Sequence, residues 1–231
     1  MLLWDIDGTL VRSRRHGLLR DYMGPVLVRL FGTAGRLDEV NASGMTDLQI
    51  TAEALRDEGY THEHVRERAP ELCGLYFEEL ERLTRGSEIY YALPGAREAL
   101  EAVAGSGHYL SSLLTGNVER AAYLKLKHVG LDEFFRLPGA FGEDSHDRRD
   151  LPALAAERIN RRLNLALPPE HFIVIGDTPN DIACARHFGA RAVAVATGRS
   201  HSVEDLASHN PDAILPDLAD TARLLGVLAS L

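Results

Sequence analysis

The 231-residue chain predicts an α/β fold, a parallel sheet covered by helices on both faces, with a helical cap inserted close to its beginning. Three observations lead to this. Five short apolar runs end at Gly, Asp or Pro, as strands do. Helical patterns lie between the later runs. The stretch from about Arg12 to Tyr90 is rich in helix formers and poor in strand-like runs.

The five runs are "LLWDI" from Leu2, "HYLSSLLTG" from His108, "HFIVIGD" from His171, "ARAVAVATG" from Ala190 and "DAILPD" from Asp212. They lack clean polar alternation, the pattern of strands buried on both faces of a parallel sheet. Between them, "VERAAYLKLKHVGL" sets Ala121, Leu124, Leu126 and Val129 on or near one helical face and closes at Gly130. "NDIACARHFGA" does the same and closes at Gly189. In the insertion, "DLQITAEALRDEGY" and "HVRERAPELCGLYFEELERL" read as helices. The block leaves the core near Val11 and returns near Leu93-Pro94-Gly95, so residues 1–11 and 91–231 are expected to form the core and residues 12–90 a cap that moves on two connections.

Composition narrows the function. A formal net charge of −9 argues against nucleic-acid or membrane-surface partners, which would be repelled, and leaves small anionic substrates possible where positive charge is local. The two cysteines, Cys73 and Cys184, form no CxxC pair and suggest neither a disulfide framework nor a zinc site. Together with the lack of a leader pattern ahead of Asp5 and of any membrane-length apolar stretch, this predicts a soluble, cytoplasmic protein.

Aspartate is disfavoured in strands, yet Asp5 and Asp7 end the first apolar run, directly before the Gly8-Thr9 turn. At i and i+2 they are expected to face one way while Ile6 enters the core. Ligands of open α/β sheets bind beyond the carboxyl ends of the strands. Other strands end in polar groups at that edge: Thr115, Gly116 and Asn117 in "LLTGN", Asp177 and Asp181 in "GDTPND", and Thr197 and Gly198 in "VATG". Each close carboxylate pair costs about 4 kcal/mol at roughly 4 Å and an effective dielectric near 20. A cation is therefore expected, and oxygen donors without clustered His or Cys favour Mg2+ over zinc or copper.

These residues resemble the haloacid dehalogenase-like (HAD) superfamily, in particular its capped, magnesium-dependent aspartyl phosphatases, close to the phosphoglycolate phosphatase and β-phosphoglucomutase groups. The likeness runs over essentially the whole chain. Motif DxDGT appears as Asp5-Ile6-Asp7-Gly8-Thr9, the Thr of the second motif as Thr115, and GDxxxD as Gly176-Asp177-Thr178-Pro179-Asn180-Asp181. The third motif departs from the pattern, because "DSHDRRDLPALAAERI" contains no lysine. Counting back from Pro152 selects Arg149, the context DRxxLP selects Arg148, and Arg148 is preferred.

The resemblance implies a Rossmann-like core and an aspartyl-phosphate mechanism acting on a small phosphorylated metabolite. It makes Asp5 the nucleophile and Asp7 the general acid and base, with the Asp7 backbone carbonyl open to the metal. The metal residues it implies are Asp5, Asp7, Asp177 and Asp181, with Asp177 binding Mg2+ directly and Asp181 assisting. Gly8, Thr9, Thr115, Gly116 and Asn117 would hold phosphate oxygens. Arg148 or Arg149 would neutralise charge during transfer. In capped relatives a loop such as "NASGMTDLQI" often faces the site, which makes Met45, Thr46 and Asp47 candidate specificity residues, although Thr46 and Asp47 also read as a simple helix cap. Arg12, Arg14 and Arg15 read as a solvated connection, with substrate contact next to the motif as the minority reading, Lys125 and Lys127 as mid-helix surface groups, and Ser202 with Asp205 as a local cap.

The alternatives are a sugar phosphomutase of the same family, a 2-haloacid dehalogenase and a receiver-type phospho-accepting module. A dehalogenase would lack an aspartate at position 7 and need no magnesium, and a receiver would lack the insertion and the GDxxxD element.

Overall fold

The computed structural model describes residues 1–231. Its sheet is built from β1 (Leu2–Trp4), β4 (Ser111–Leu113), β5 (Ile173–Gly176), β6 (Arg191–Val195) and β7 (Ala213–Leu215). The strands lie in the order β4-β1-β5-β6-β7, and every pair is parallel. All five predicted runs are strands, shorter than the runs themselves. β1 is flanked by β4 and β5, with Trp4 between Leu113 and Ile175. The chain leaves β1 for neighbours on both sides, which opens a crevice at its carboxyl end.

Alternation along β1 splits the interior. Leu2 and Trp4 join the larger apolar cluster, with α5 (Ala96–Ser106), α6 (Glu119–His128) and α10 (Thr221–Ser230). Leu3 enters the smaller one, beneath α7 (Leu151–Leu163), α8 (Pro179–Phe188) and α9 (Val203–Ser208). Gly130 follows α6 and Gly189 caps α8, both with positive φ.

The insertion is helical, with α1 (Leu18–Phe31), α2 (Asp47–Leu55), α3 (His62–Glu67) and α4 (Ala69–Thr84). Its interior is filled by Leu27, Leu55, Leu72, Tyr76 and Leu80, and Tyr22 and Tyr76 meet edge to face at 5.9 Å. The run predicted as one helix breaks at Arg68, because Pro70 lacks an N–H and belongs in a first turn, where it opens α4. Thr61 starts α3 with a capping box in which His64 returns its Nδ1 to the Thr61 N–H.

Two strands were not predicted. β2 (Val11–Ser13) and β3 (Tyr90–Ala92) pair antiparallel at the two connections, with Arg12 opposite Tyr91. No helix is long and apolar enough to cross a membrane.

Candidate active site

The carboxyl end of β1 builds the first part of the site. The strand stops at Trp4, but Asp5 N still donates to Ile175 O at 2.9 Å, so the chain is held against β5 for one more residue. Ile6 is buried, as the alternation requires. Asp5 is buried as well, whereas the Asp7 side chain is 46% exposed. The two acids line the same cavity of about 680 Å³, one at its floor and one at its wall. Gly8 turns the chain at φ 91°, and any Cβ there would overlap the Asp177 carboxylate, so position 8 accepts only glycine on two grounds. Thr9 Oγ1 donates to Asp177 Oδ1 at 3.1 Å.

Asp5, Asp177 and Asp181 bring one oxygen each within 4.8 Å of one another, and all three are buried. Arg148 supplies the compensating charge: its Nη2 donates to Asp5 Oδ1 at 3.0 Å and to Asp181 Oδ1 at 2.5 Å. Burial pushes the Asp5 carboxyl up to about 7, a rise that Asp181 and Asp7 reinforce and that Arg148 opposes. The Asp177 carboxyl is also driven well above its ordinary range, by burial first and then by Asp5 and Asp181. Arg148 alone does not balance this cluster, and a hard dication suits its oxygen donors. Asp5 Oδ2 and Asp177 Oδ2 have no protein partner, whereas both Asp181 oxygens are engaged, Oδ1 by Arg148 and Oδ2 by the Thr178 N–H and hydroxyl of the α8 capping box. Asp181 is thus placed to support a metal from behind, and Asp5 and Asp177 to touch it.

Arg149 is not part of the site. Its guanidinium lies outside, paired with Asp147 at 2.6 Å and 60% exposed, because consecutive residues of the 3-10 turn 148–150 diverge. Only Arg148 enters, and its buried Nε has no partner.

Beyond β4 the chain runs through Thr115, Gly116 and Asn117 into α6, and all three line the cavity. Asn117 Nδ2 donates to Thr115 Oγ1 at 2.8 Å and to Asp7 Oδ2 at 2.7 Å. Lys125 corrects an expectation. It is buried, lines the cavity, and its Nζ donates to Asp7 Oδ2 at 2.6 Å and Asn117 Oδ1 at 2.5 Å. Burial alone would lower its affinity for a proton, but Asp7, Tyr90 and Asp47 outweigh that and hold the ammonium charged. The sequence carried a signal for this: Lys125 falls four residues after Ala121 on the buried stripe of α6. Lys127 is exposed, as predicted.

The cap loop sits directly on this machinery. Met45 lines the cavity, buried Thr46 caps α2 through the Gln49 N–H, and Asp47 N donates to Gly116 O at 2.8 Å. A Cβ at Gly116 would collide with the Met45 carbonyl oxygen, so the second glycine that matters is the one that lets cap and core touch. Asp47 Oδ2 accepts from Val118 N at 2.9 Å, at the start of α6. Burial pushes its carboxyl up to about 6 against the pull of Lys125 and of that N–H. Asn180 Nδ2 donates to Ser43 O at 3.1 Å. Asp205 does more than accept the predicted cap, in which Ser202 takes its N–H: its carboxylate meets His201 Nδ1 at 2.5 Å, and His201 Nε2 reaches Ser43 Oγ at 3.4 Å. Burial also pushes the Cys73 and Cys184 thiols up to about 12, which removes thiolate chemistry near neutral pH.

Residues 149–221 match a family model described as HAD-hydrolase-like. The chain is 24% identical over 248 residues, covering 99% of itself and 97% of its relative, to phosphoglycolate phosphatase of Nitrosococcus oceani. Among solved structures it is similar to a predicted phosphoglycolate phosphatase of Haemophilus somnus, with TM-score 0.65, 22% identity and 97% of each chain covered. It is also similar to CbbY of Rhodobacter sphaeroides in complex with xylulose-1,5-bisphosphate, with TM-score 0.67, 16% identity, and 95% of this chain and 94% of that one covered. These likenesses go with a parallel α/β sheet that carries an acidic cluster at the carboxyl end of its first strand. With DxDGT and GDxxxD supplying that cluster and helices inserted between β1 and β3, the chain is similar to the haloacid dehalogenase-like hydrolases, with the family model matching its residues 149–221.

The geometry separates the two arginines. Arg148→Ala strands a buried carboxylate pair and is expected to cost about 3–5 kcal/mol in urea unfolding without metal, while Arg149→Ala leaves the unfolding midpoint unchanged. Asp47 generates a pH signature. Its carboxyl holds a proton more tightly folded, near 6, than at its ordinary 3.8, so its contribution to stability is full below about pH 4 and lost as pH rises through 6. Asp47→Asn removes that slope, and its stability relative to wild type should rise between pH 4 and 7 by an amount on the order of 3 kcal/mol, read by urea unfolding at the two pH values.

Proposed function

We propose that the chain is a magnesium-dependent phosphatase that hydrolyses a small phosphomonoester through an aspartyl-phosphate on Asp5. The observation that carries this is the buried Asp5, its Oδ1 fixed by Arg148 and its Oδ2 free in the cavity beside Asp177. A carboxylate held in one orientation, with one oxygen unencumbered, needs no separate base to act as a nucleophile.

Asp5 Oδ2 forms the bond to phosphorus as the bond from phosphorus to the ester oxygen breaks. Asp7 gives its proton to the departing alkoxide, then takes one from the water that attacks phosphorus and restores the Asp5 carboxylate. Thr115, with the Gly116 and Asn117 amides leading into α6, faces the phosphoryl oxygens at the positive end of a helix. The unpartnered Arg148 Nε is a further donor for them. Asp5, Asp177 and the Asp7 carbonyl would hold Mg2+, which when bound offsets the carboxylate charge and that of the transferring group. The cap, taken as residues 12–90 swinging on the β2–β3 stem, excludes bulk water when seated.

Two more cavity residues favour a leaving group with its own negative charge. Arg12 and Arg199 line the cavity with no carboxylate within 4.0 Å, and Arg12 Nη2 donates to Thr197 O. Phosphoglycolate and xylulose-1,5-bisphosphate, named for two relatives, each carry a second anionic group.

The test is phosphate release from phosphoglycolate, sugar phosphates, sugar bisphosphates and nucleotides, with and without Mg2+. Release that survives chelation, or isomerisation without release, contradicts the proposal. Asp5→Asn should abolish turnover with the circular dichroism spectrum unchanged, and substantial remaining activity removes Asp5 from the nucleophile's role. Asp177→Asn should first shift the Mg2+ concentration for half-maximal rate upward by tenfold or more, on the order expected for loss of one direct ligand. A titration that overlays wild type rejects Asp177 as a ligand.

A further inference from the structure

Lys125 is the one ammonium at the site, and none of the motifs accounts for it. Burying a lysine costs several kcal/mol unless its charge is met. Lys125 sits on α6 two turns after Asn117 and is met by a closed triangle. Nζ donates to Asp7 Oδ2 and to Asn117 Oδ1, while Asn117 Nδ2 donates to the same Asp7 Oδ2 and to Thr115 Oγ1. The ring of Tyr90, on β3, lies 5.9 Å from Nζ.

Two orientations are settled by this arrangement. Asp7 Oδ2 receives both donors, which leaves Oδ1 as the oxygen without a protein partner on a side chain that faces the cavity. The Asn117 amide is likewise locked, its oxygen on the ammonium and its nitrogen toward Asp7 and Thr115. Without the ammonium that amide could turn over, and Asp7 would lose one of the two bonds that aim it.

We propose that Lys125 is a positioning residue for the acid–base step: it holds Asp7 so that Oδ1 meets the leaving oxygen, and it fixes the Asn117 amide beside it. Lys125 touches neither phosphorus nor the leaving group and acts through Asp7. The inference rests on Asp7 being the proton donor, so its test must tell the failure of one from the failure of the other.

A misaimed proton donor hurts basic leaving groups more than acidic ones. The experiment compares kcat/KM for phenyl phosphate and 4-nitrophenyl phosphate in wild type, Asp7→Asn and Lys125→Met, at saturating Mg2+. Asp7→Asn should lose far more activity on phenyl phosphate. Lys125→Met should show the same bias at reduced size, with roughly 10-fold more loss on phenyl phosphate, a part of the 10²–10⁴ that general acid–base catalysis supplies. An equal fall on both esters in Lys125→Met, beside a biased fall in Asp7→Asn, overturns the positioning role alone and leaves a structural one. An equal fall in Asp7→Asn overturns the acid–base reading and this inference with it. If Lys125→Met does not fold, Lys125→Leu, which also removes the donor to Asp7 while keeping apolar bulk on the buried face of α6, carries the same comparison, and equal falls again overturn the proposal.

Discussion

The site depends on the crowding of carboxylates at the end of β1 and on the single guanidinium that makes it tolerable. Asp5 and Asp181 are buried, acid against acid, and Arg148 bridges them while covered itself. Carboxylates this close in a poorly solvated pocket repel by several kcal/mol. The fold sustains this because each acid also has a structural partner: Asp177 accepts from Thr9, Asp181 closes the capping box of α8, and Asp5 is tied through its N–H to β5. The carboxylate oxygens are thus already turned toward one another, and a cation entering among them would relieve repulsion the fold has already built in.

Opposite this acidic floor, the wall is held by α6. Its start presents Thr115, Gly116 and Asn117, and its second turn returns Lys125 to Asn117 and Asp7. Arg148 meets Asp5 and Asp181, and Lys125 meets Asp7 and Asn117. A site with two fixed cations of different shape divides the work: the planar fork bridges two carboxylates, and the compact ammonium ties one carboxylate to one amide.

The strands were readable because a parallel sheet covered on both faces turns each strand into an uninterrupted apolar run, and "FIVI" and "AVAV" have few other readings. The acids of the site were readable because their spacing within each motif is local. The choice between Arg148 and Arg149 was not, since adjacent residues in a 3-10 turn differ only in the direction they leave it, and that direction depends on α8 and the cap loop. Lys125 was passed over because a lysine within a helix is ordinarily solvated, and its two partners lie 8 and 118 residues away. β2 and β3 are three residues each, too short for alternation to register, and they pair with one another across nearly eighty residues.

The seat of the cap on α6 has one more consequence. Asp47 occupies the N–H of Val118 at the head of that helix, and two residues along Arg120 stacks at 3.8 Å over Phe77 of α4. The head of α6 is thus the bearing on which the inserted helices rest, and under the function proposed above, lifting them would bare that N–H and loosen the hold on the anion in the same movement that opens the exit.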